Sequence, residues 1–219
     1  MRAKLDVSEQ KASLTKRLFA ETKDTVLPSH IKPISDPAKR KQEIEQDTLK
    51  YSIMSAVLGA FPVPGVAIVT DIAVVGLQVK LVRDVGQYWD QKLDKEQAKM
   101  LLAGLGLGTG ARIAMSNVVK FVPVVGWMFG ASSSFAATWA IGKLTNRYFE
   151  LGQPADLKDL RKAMKEAQKE GKAAFASNKK AIEAKKQETE GKISTLNEEL
   201  KAGKITQAEY DQKIAGLAN

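Results

Sequence analysis

Cysteine is absent from the 219 residues, and histidine occurs once, as His30. The chain therefore has no disulfide framework, thiolate nucleophile, iron–sulfur centre or zinc ribbon open to it. One histidine excludes two-histidine metal sites and disfavours a Ser-His-Asp arrangement. His30 lies between Pro28 and Pro33 in a polar stretch and is expected to be an exposed spectator. Aromatic residues make up only 6% of the chain. The start, Met1-Arg2-Ala3-Lys4-Leu5-Asp6, lacks the apolar h-region of a secretory signal. No segment of strand length alternates with a period of two. These absences disfavour both enzyme chemistry and β-structure. The expectation is an all-α, non-enzymatic protein with no cofactor or catalytic residue, in the cytoplasm or at the cytoplasmic face of a membrane.

What is present is positive charge. The chain carries 34 basic and 25 acidic residues, a formal +9. Residues 1–50 hold 11 basic and 8 acidic side chains, 51–150 hold 9 and 6, and 151–219 hold 14 and 11. Each part is therefore +3. A nucleic-acid binder concentrates its excess in one patch or arm, so nucleic acid is not expected as a partner. A leaning toward anionic surfaces remains.

Apolar residues are distributed far less evenly. A helix is expected over Val7–Val26, then a break at Pro28, Pro33 and Pro37. Asp36-Pro37 is a helix start, an N-cap acceptor followed by proline in the first turn. That helix becomes apolar from Tyr51 to Phe61 and meets Phe61-Pro62-Val63-Pro64-Gly65, a turn. A second helix runs from Val66 to about Trp89. Asp94 with Gln97 forms a capping box that opens a third helix, expected to reach Lys120. After Phe121-Val122-Pro123-Val124-Val125-Gly126, a fourth runs from Trp127 to Leu151. The two Pro/Gly turns recur after 61 residues. They mark either a degenerate duplication or a chance likeness of two Pro-Val-rich turns.

Between Lys50 and Lys80 the only charge is Asp71, and between Lys120 and Lys143 there is none. Uncharged runs of this kind belong in a membrane or in a buried core. Val66–Val79 gains roughly −4 kcal/mol from its apolar residues on an insertion scale, and Asp71 returns about +3. Its helix would span only about 21 Å of a roughly 30 Å hydrocarbon layer. Phe121–Gly142 is longer, but Pro123, Gly126, Gly130 and Ser132–Ser134 dilute it. Two arrangements fit. In one, hairpin tips dip into a leaflet through Phe61, Val63, Val122, Val124, Trp127 and Phe129. Lys50, Lys80, Lys120, Lys143 and Arg147 would then stand at the headgroups. In the other, the four helices close on one another as a soluble bundle. Asp71 is expected to be a buried polar residue, hydrogen-bonded or ion-paired; a proton- or ion-coupled role is the sharper alternative.

Gly106, Gly108 and Ala111 match a G-x-G-x-x-A loop, but that motif needs a preceding strand, and Asp94–Leu102 is helical in pattern. The pairs Gly104/Gly108 and Gly106/Gly110 instead suit close helix packing. The serines at 132–134 have no basic partner nearby and are expected to be packing residues.

The tail opens at Gly152-Gln153-Pro154 and holds a charged helix or pair of helices expected to fray near Gly171. Ile193, Leu196 and Leu200 form an apolar stripe that stops at Gly203, and Thr206 with Glu209 forms a capping box. The helix this box opens carries Tyr210, Ile214 and Leu217. Such a hairpin cannot bury enough apolar surface alone. It is expected to dock through Leu196, Leu200, Ile205, Tyr210 and Ile214, on the bundle or on another copy.

The series Asp71-Ile-Ala-Val-Val-Gly-Leu-Gln78-Val-Lys80-Leu-Val-Arg83, Leu93-Asp94-Lys95-Glu96-Gln97, Phe121-Val-Pro123-Val-Val-Gly126 and Arg147-Tyr148-Phe149-Glu150 resembles the domain of unknown function 697 family over residues 50–150. That resemblance implies a bacterial helical domain with membrane-associated hairpins, sometimes encoded beside small GTPases, and without assigned catalytic residues. Residues 193–217 resemble a SHOCT-type short C-terminal domain, which implies oligomerisation or docking.

The expected organisation has an N-terminal helix and linker at 1–35 and an apolar two-hairpin, four-helix domain at 36–151. A charged helical linker at 152–192 and a SHOCT-like hairpin at 193–219 follow. The expected function is membrane association at the cytosolic face of a bacterial inner membrane, with anionic lipids and a second copy or protein as partners. A soluble helical adaptor, partnering a small GTPase, is the alternative. A pore or transporter component using Asp71 is a third.

Overall fold

The computed structural model describes residues 31–60, 67–107, 130–152 and 157–218, and the side chains within them except at 67–71, 103–107 and 157–161. Seven α-helices and no strand occur among these residues: α1 Pro37–Gly59, α2 Ala67–Tyr88, α3 Lys95–Leu107, α4 Gly130–Leu151, α5 Leu157–Ser177, α6 Lys179–Lys201 and α7 Gln207–Leu217. The chain is all-α. The helix expected over Val7–Val26 lies outside the described residues.

The helix starts follow local chemistry. Asp36 Oδ1 accepts from Lys39 N–H at 3.0 Å, and Pro37, which has no N–H to satisfy, enters the first turn of α1. Before α3, Asp94 Oδ1 accepts from Gln97 N–H at 2.7 Å while Gln97 Oε1 accepts from Asp94 N–H at 2.8 Å, a complete capping box. Thr206 and Glu209 form the same device before α7. Between α6 and α7, Lys204 N–H reaches Glu199 C=O at 2.8 Å and Gly203 N–H reaches Leu200 C=O at 3.0 Å. This is a Schellman stop, and Gly203 supplies its left-handed φ of 66°.

The core forms where α1, α2 and α4 pack together. Tyr51, Met54, Ala56, Val57 and Leu58 of α1 meet Ala73, Val74, Leu77, Leu81 and Val85 of α2 and Phe135 of α4. A smaller core joins Val75, Val79 and Val82 of α2 to Ala98 and Leu102 of α3 and Ile141 of α4. The α1–α4 contact is the closest. A Cβ on Gly142 would collide with the Thr48 hydroxyl, and one on Gly59 would crowd Ser134. Thr48, Ser52, Ser55 and Gly59 on α1 thus form a seam of small residues against Ser134, Thr138 and Gly142 on α4.

Helix α5 returns antiparallel along α4. The expected fraying at Gly171 does not occur: α5 is unbroken to Ser177, and the chain bends at Asn178. The reason is tertiary. A Cβ at Gly171 would stand 2.8 Å from Ala136 Cα, so glycine admits the two backbones to close contact, which offsets its weak helix propensity. Phe175 meets Phe135 edge-on at 5.7 Å, and Trp139 stacks on Phe135 at 5.9 Å. The stretch 152–192, expected as a charged linker, is folded onto the bundle through Ala167, Phe175 and Ile182.

Candidate functional site at the hairpin end of the bundle

Gly59 at the end of α1 lies against Gly130 and Ser134 at the start of α4. Helix α2 is antiparallel to α1, since Asp47 meets Tyr88 while Tyr51 meets Asp84. Helix α3 turns back along α2: Arg83 Nε donates to Leu93 C=O at 3.2 Å and the two helices share the smaller core. The exit of α1, the entry of α2, the exit of α3 and the entry of α4 therefore gather at one end. Segments 61–66 and 108–129 join there, carrying Phe61, Val63, Val122, Val124, Trp127 and Phe129. Those six candidates lie outside the described residues, as do Gly108 and Gly110. Gly104 and Gly106 fall in α3, and Asp71 falls in the second turn of α2; its side chain is outside the described set.

No described residue in Tyr51–Gly59 or Gly130–Gly142 is charged. Their apolar side chains are mostly buried against other helices, so the uncharged runs of α1 and α4 serve as core over the described lengths. Among the described residues, no helix is long and apolar enough to cross a membrane.

Behind this end lies a buried polar ladder. Asp84, 1% exposed, accepts from Tyr51 Oη and Lys80 Nζ, both at 2.7 Å. Asp47 accepts from Tyr88 Oη at 2.7 Å and from Lys50 Nζ at 3.2 Å. Burial, then the neighbouring Asp84 charge, pushes the Tyr51 phenol far above its ordinary value of 10.0. Burial and the bond to Asp47 do the same for Tyr88. On the α4 side, Gln78 Nε2 donates to Thr138 Oγ1 at 3.2 Å and Thr138 donates to Ser55 Oγ at 3.0 Å. Each carboxylate is engaged by a phenol and an ammonium, an arrangement that fixes helix register.

Lys50, Lys80 and Lys143, expected at the headgroups, each have an acidic partner within the chain. Lys80 is spent on buried Asp84, and Lys50 on Asp47. Lys143 is shared by Glu45 at 3.2 Å and Glu170 at 3.5 Å. Trp89, at the opposite end of α2 from the gathered chain ends, carries the Arg40 guanidinium on its ring at 3.7 Å and donates to Asn146. A groove of about 420 Å³ between α1, α4 and α5 is floored by Thr48 and Gly142 and walled by Lys143, Arg147, Glu45 and Glu166, a mixture of both signs. Among the described residues, no cluster of three His, Cys, Asp or Glu side chains is placed to hold a metal.

The tail stripe docks on the chain's own bundle. Leu196, Tyr210 and Ile214 are buried in the main core, with Leu200 and Ile205 packed against it. Tyr210 donates to Asn197 at 2.8 Å within the hairpin, and Asp211 lies over Gly76 of α2. The small-residue seam of α1 and α4 went unread in the sequence. Its signal is there, as Thr48, Ser52, Ser55 and Gly59 recur every three or four residues. No family model, curated protein or solved structure matches the chain.

Proposed function

We propose that the chain is a non-enzymatic protein that docks at the cytosolic face of a bacterial membrane. A closed helical bundle would present the uncharged, Pro/Gly-containing segment 61–66 and the apolar part of 108–129 to one leaflet. One observation carries this reading: all four chain ends that lead into those segments gather at one end of a bundle whose described apolar faces are already buried. Apolar segments held at the end of a rigid support bind in proportion to the apolar area they bury in the interface. Membership of the domain of unknown function 697 family, with a SHOCT-type tail and a small GTPase as partner, belongs to the same proposal and rests on the sequence resemblance.

Vesicle co-sedimentation tests it. The intact chain is expected to pellet with vesicles containing phosphatidylglycerol, and Phe61→Ser with Val63→Ser and Trp127→Ser to leave it in the supernatant. Wild-type protein that stays soluble beside every vesicle sinks the reading.

A soluble adaptor is the second reading, favoured by the closed core and by a C-terminal hairpin that folds back on α1 and α2. It gains if the chain unfolds cooperatively without lipid and ignores vesicles. Self-association through the tail would need that hairpin to leave its seat on α2.

A further inference from the structure

We infer that the elbow between α5 and α6, carrying Lys172, Lys179 and Lys180, is a contact surface for anionic lipid headgroups at the hairpin end of the bundle. The inference rests on the membrane reading above and names the charges that would serve it.

The placement follows from two glycine contacts. Gly59 fixes the end of α1 beside Gly130, where α4 begins. Gly171 fixes α5 beside Ala136, six residues into α4 from Gly130. Ser177, where α5 ends, is likewise six residues past Gly171. The two helices run antiparallel, and six residues advance each by about 9 Å. The elbow at Ser177–Asn178 therefore stands about level with Gly130, beside the chain ends that lead into 61–66 and 108–129.

The charge at this level is unusual for the molecule. Tyr51–Gly59 and Gly130–Gly142 bring no charge to it. Lys172, Lys179 and Lys180 are exposed, and none forms an ion pair with a described residue. The nearest acidic residues along the chain are Glu170, two residues before Lys172 and engaged by Lys143 at 3.5 Å, and Glu183, three residues past Lys180. In sequence, Asp71, Arg112 and Lys120 are the other charges that belong to segments near this end. The opposite end is mixed: Asp36, Lys39, Arg40 and Lys41 start α1, and Asp90, Lys92 and Asp94 join α2 to α3. An ammonium on a flexible stem beside an inserting apolar segment suits phosphate and glycerol headgroups. Attraction to an anionic leaflet contributes about fivefold in partitioning per lysine near the surface.

The test uses the intact chain with vesicles of phosphatidylcholine alone and of phosphatidylcholine mixed equally with phosphatidylglycerol. The triple variant Lys172→Gln, Lys179→Gln, Lys180→Gln is compared with Lys39→Gln, Lys41→Gln, Lys92→Gln, which removes the same charge from the opposite end. The elbow variant is expected to lose on the order of 100-fold in partitioning onto the mixed vesicles. Its binding to the neutral vesicles should be unchanged, and the far-end variant should stay within a few-fold of wild type on both. Equal losses in the two variants overturn the inference, since net charge would then be the cause. A wild-type chain that binds mixed vesicles, with an elbow variant that binds them as well, overturns the inference alone. A wild-type chain that binds neither vesicle overturns the membrane reading and the inference with it. All six lysines are exposed, so circular dichroism should show wild-type helicity in both variants.

Discussion

Asp84 sits in the core with only one oxygen engaged: Oδ2 receives both Tyr51 and Lys80, while Oδ1 is buried without a hydrogen bond. Removing one partner of such a buried pair costs more than the pair contributes, because a desolvated charge is left behind. Lys80→Met is accordingly expected to destabilise the fold by about 3 kcal/mol, measured by urea unfolding. Gly142→Ala should cost about 1–3 kcal/mol by driving its methyl into Thr48 at the closest point between α1 and α4. The phenols give a pH signature. Tyr51, Tyr88 and Tyr210 all have folded pKa values raised above the ordinary 10.0, chiefly by burial. A group whose pKa is raised on folding contributes stability that is intact below its unfolded value and is lost as the pH rises above it. Stability should therefore fall above about pH 10, and the phenolate absorbance of these three residues should rise together with the loss of helical ellipticity. Phenolate at Tyr51 or Tyr88 while the helices are intact would contradict the buried ladder. The pairings between helices, Tyr51 with Asp84, Tyr88 with Asp47 and Gly142 with Thr48, were not legible in the sequence. Lys80 was expected at a headgroup although Asp84 stands four residues on; that Asp84 is buried and shared with Tyr51 of another helix is what one-dimensional spacing does not carry.

Helix starts were the most legible part of the chain, because a cap is made within four residues. Asp36-Pro37, Asp94 with Gln97 and Thr206 with Glu209 each formed as their spacing implied. Thr206→Ala is expected to cost about 1 kcal/mol and to loosen α7 first, seen as faster amide exchange at Tyr210 and Ile214. The caps also have an acid limb. The folded pKa values of Asp36 and Glu209 are lowered, above all by backbone N–H groups that bond the ionised form. Their stabilisation is present above the ordinary carboxylate values and disappears as the pH falls through the lowered ones. Helix interiors were less legible. Gly171 carries a propensity penalty of about 1 kcal/mol, which locally marks a weak point. Only the Ala136 backbone, 35 positions earlier in the chain, makes it a contact point. The hairpin of α6 and α7 was legible as an apolar stripe seeking a partner. That the partner is this chain's own core depends on α1 and α2, far away in sequence.

At the scale of the whole molecule, the all-α class and the order of the helices follow from segment hydrophobicity, which needs no knowledge of packing. The tail's role in the bundle gives a test at this scale. Deleting residues 193–219 removes Ile193, Leu196, Tyr210 and Ile214 from the main core and uncovers their seat on α1 and α2. The truncated chain should unfold at lower urea concentration and form oligomers in light scattering; an unchanged monomer with unchanged unfolding would show the tail to be dispensable. The α1–α4 seam has one more consequence, in the order of synthesis. Ser55 and Thr138 are bonded across 83 positions, so the apolar end of α1 has no permanent partner there until α4 has left the ribosome. At about 5–20 residues per second that interval is roughly 4–17 s. During it, the α4-facing side of the uncharged stretch Tyr51–Gly59 is open to whatever in the cell binds nascent apolar chain, whether a chaperone or a bilayer.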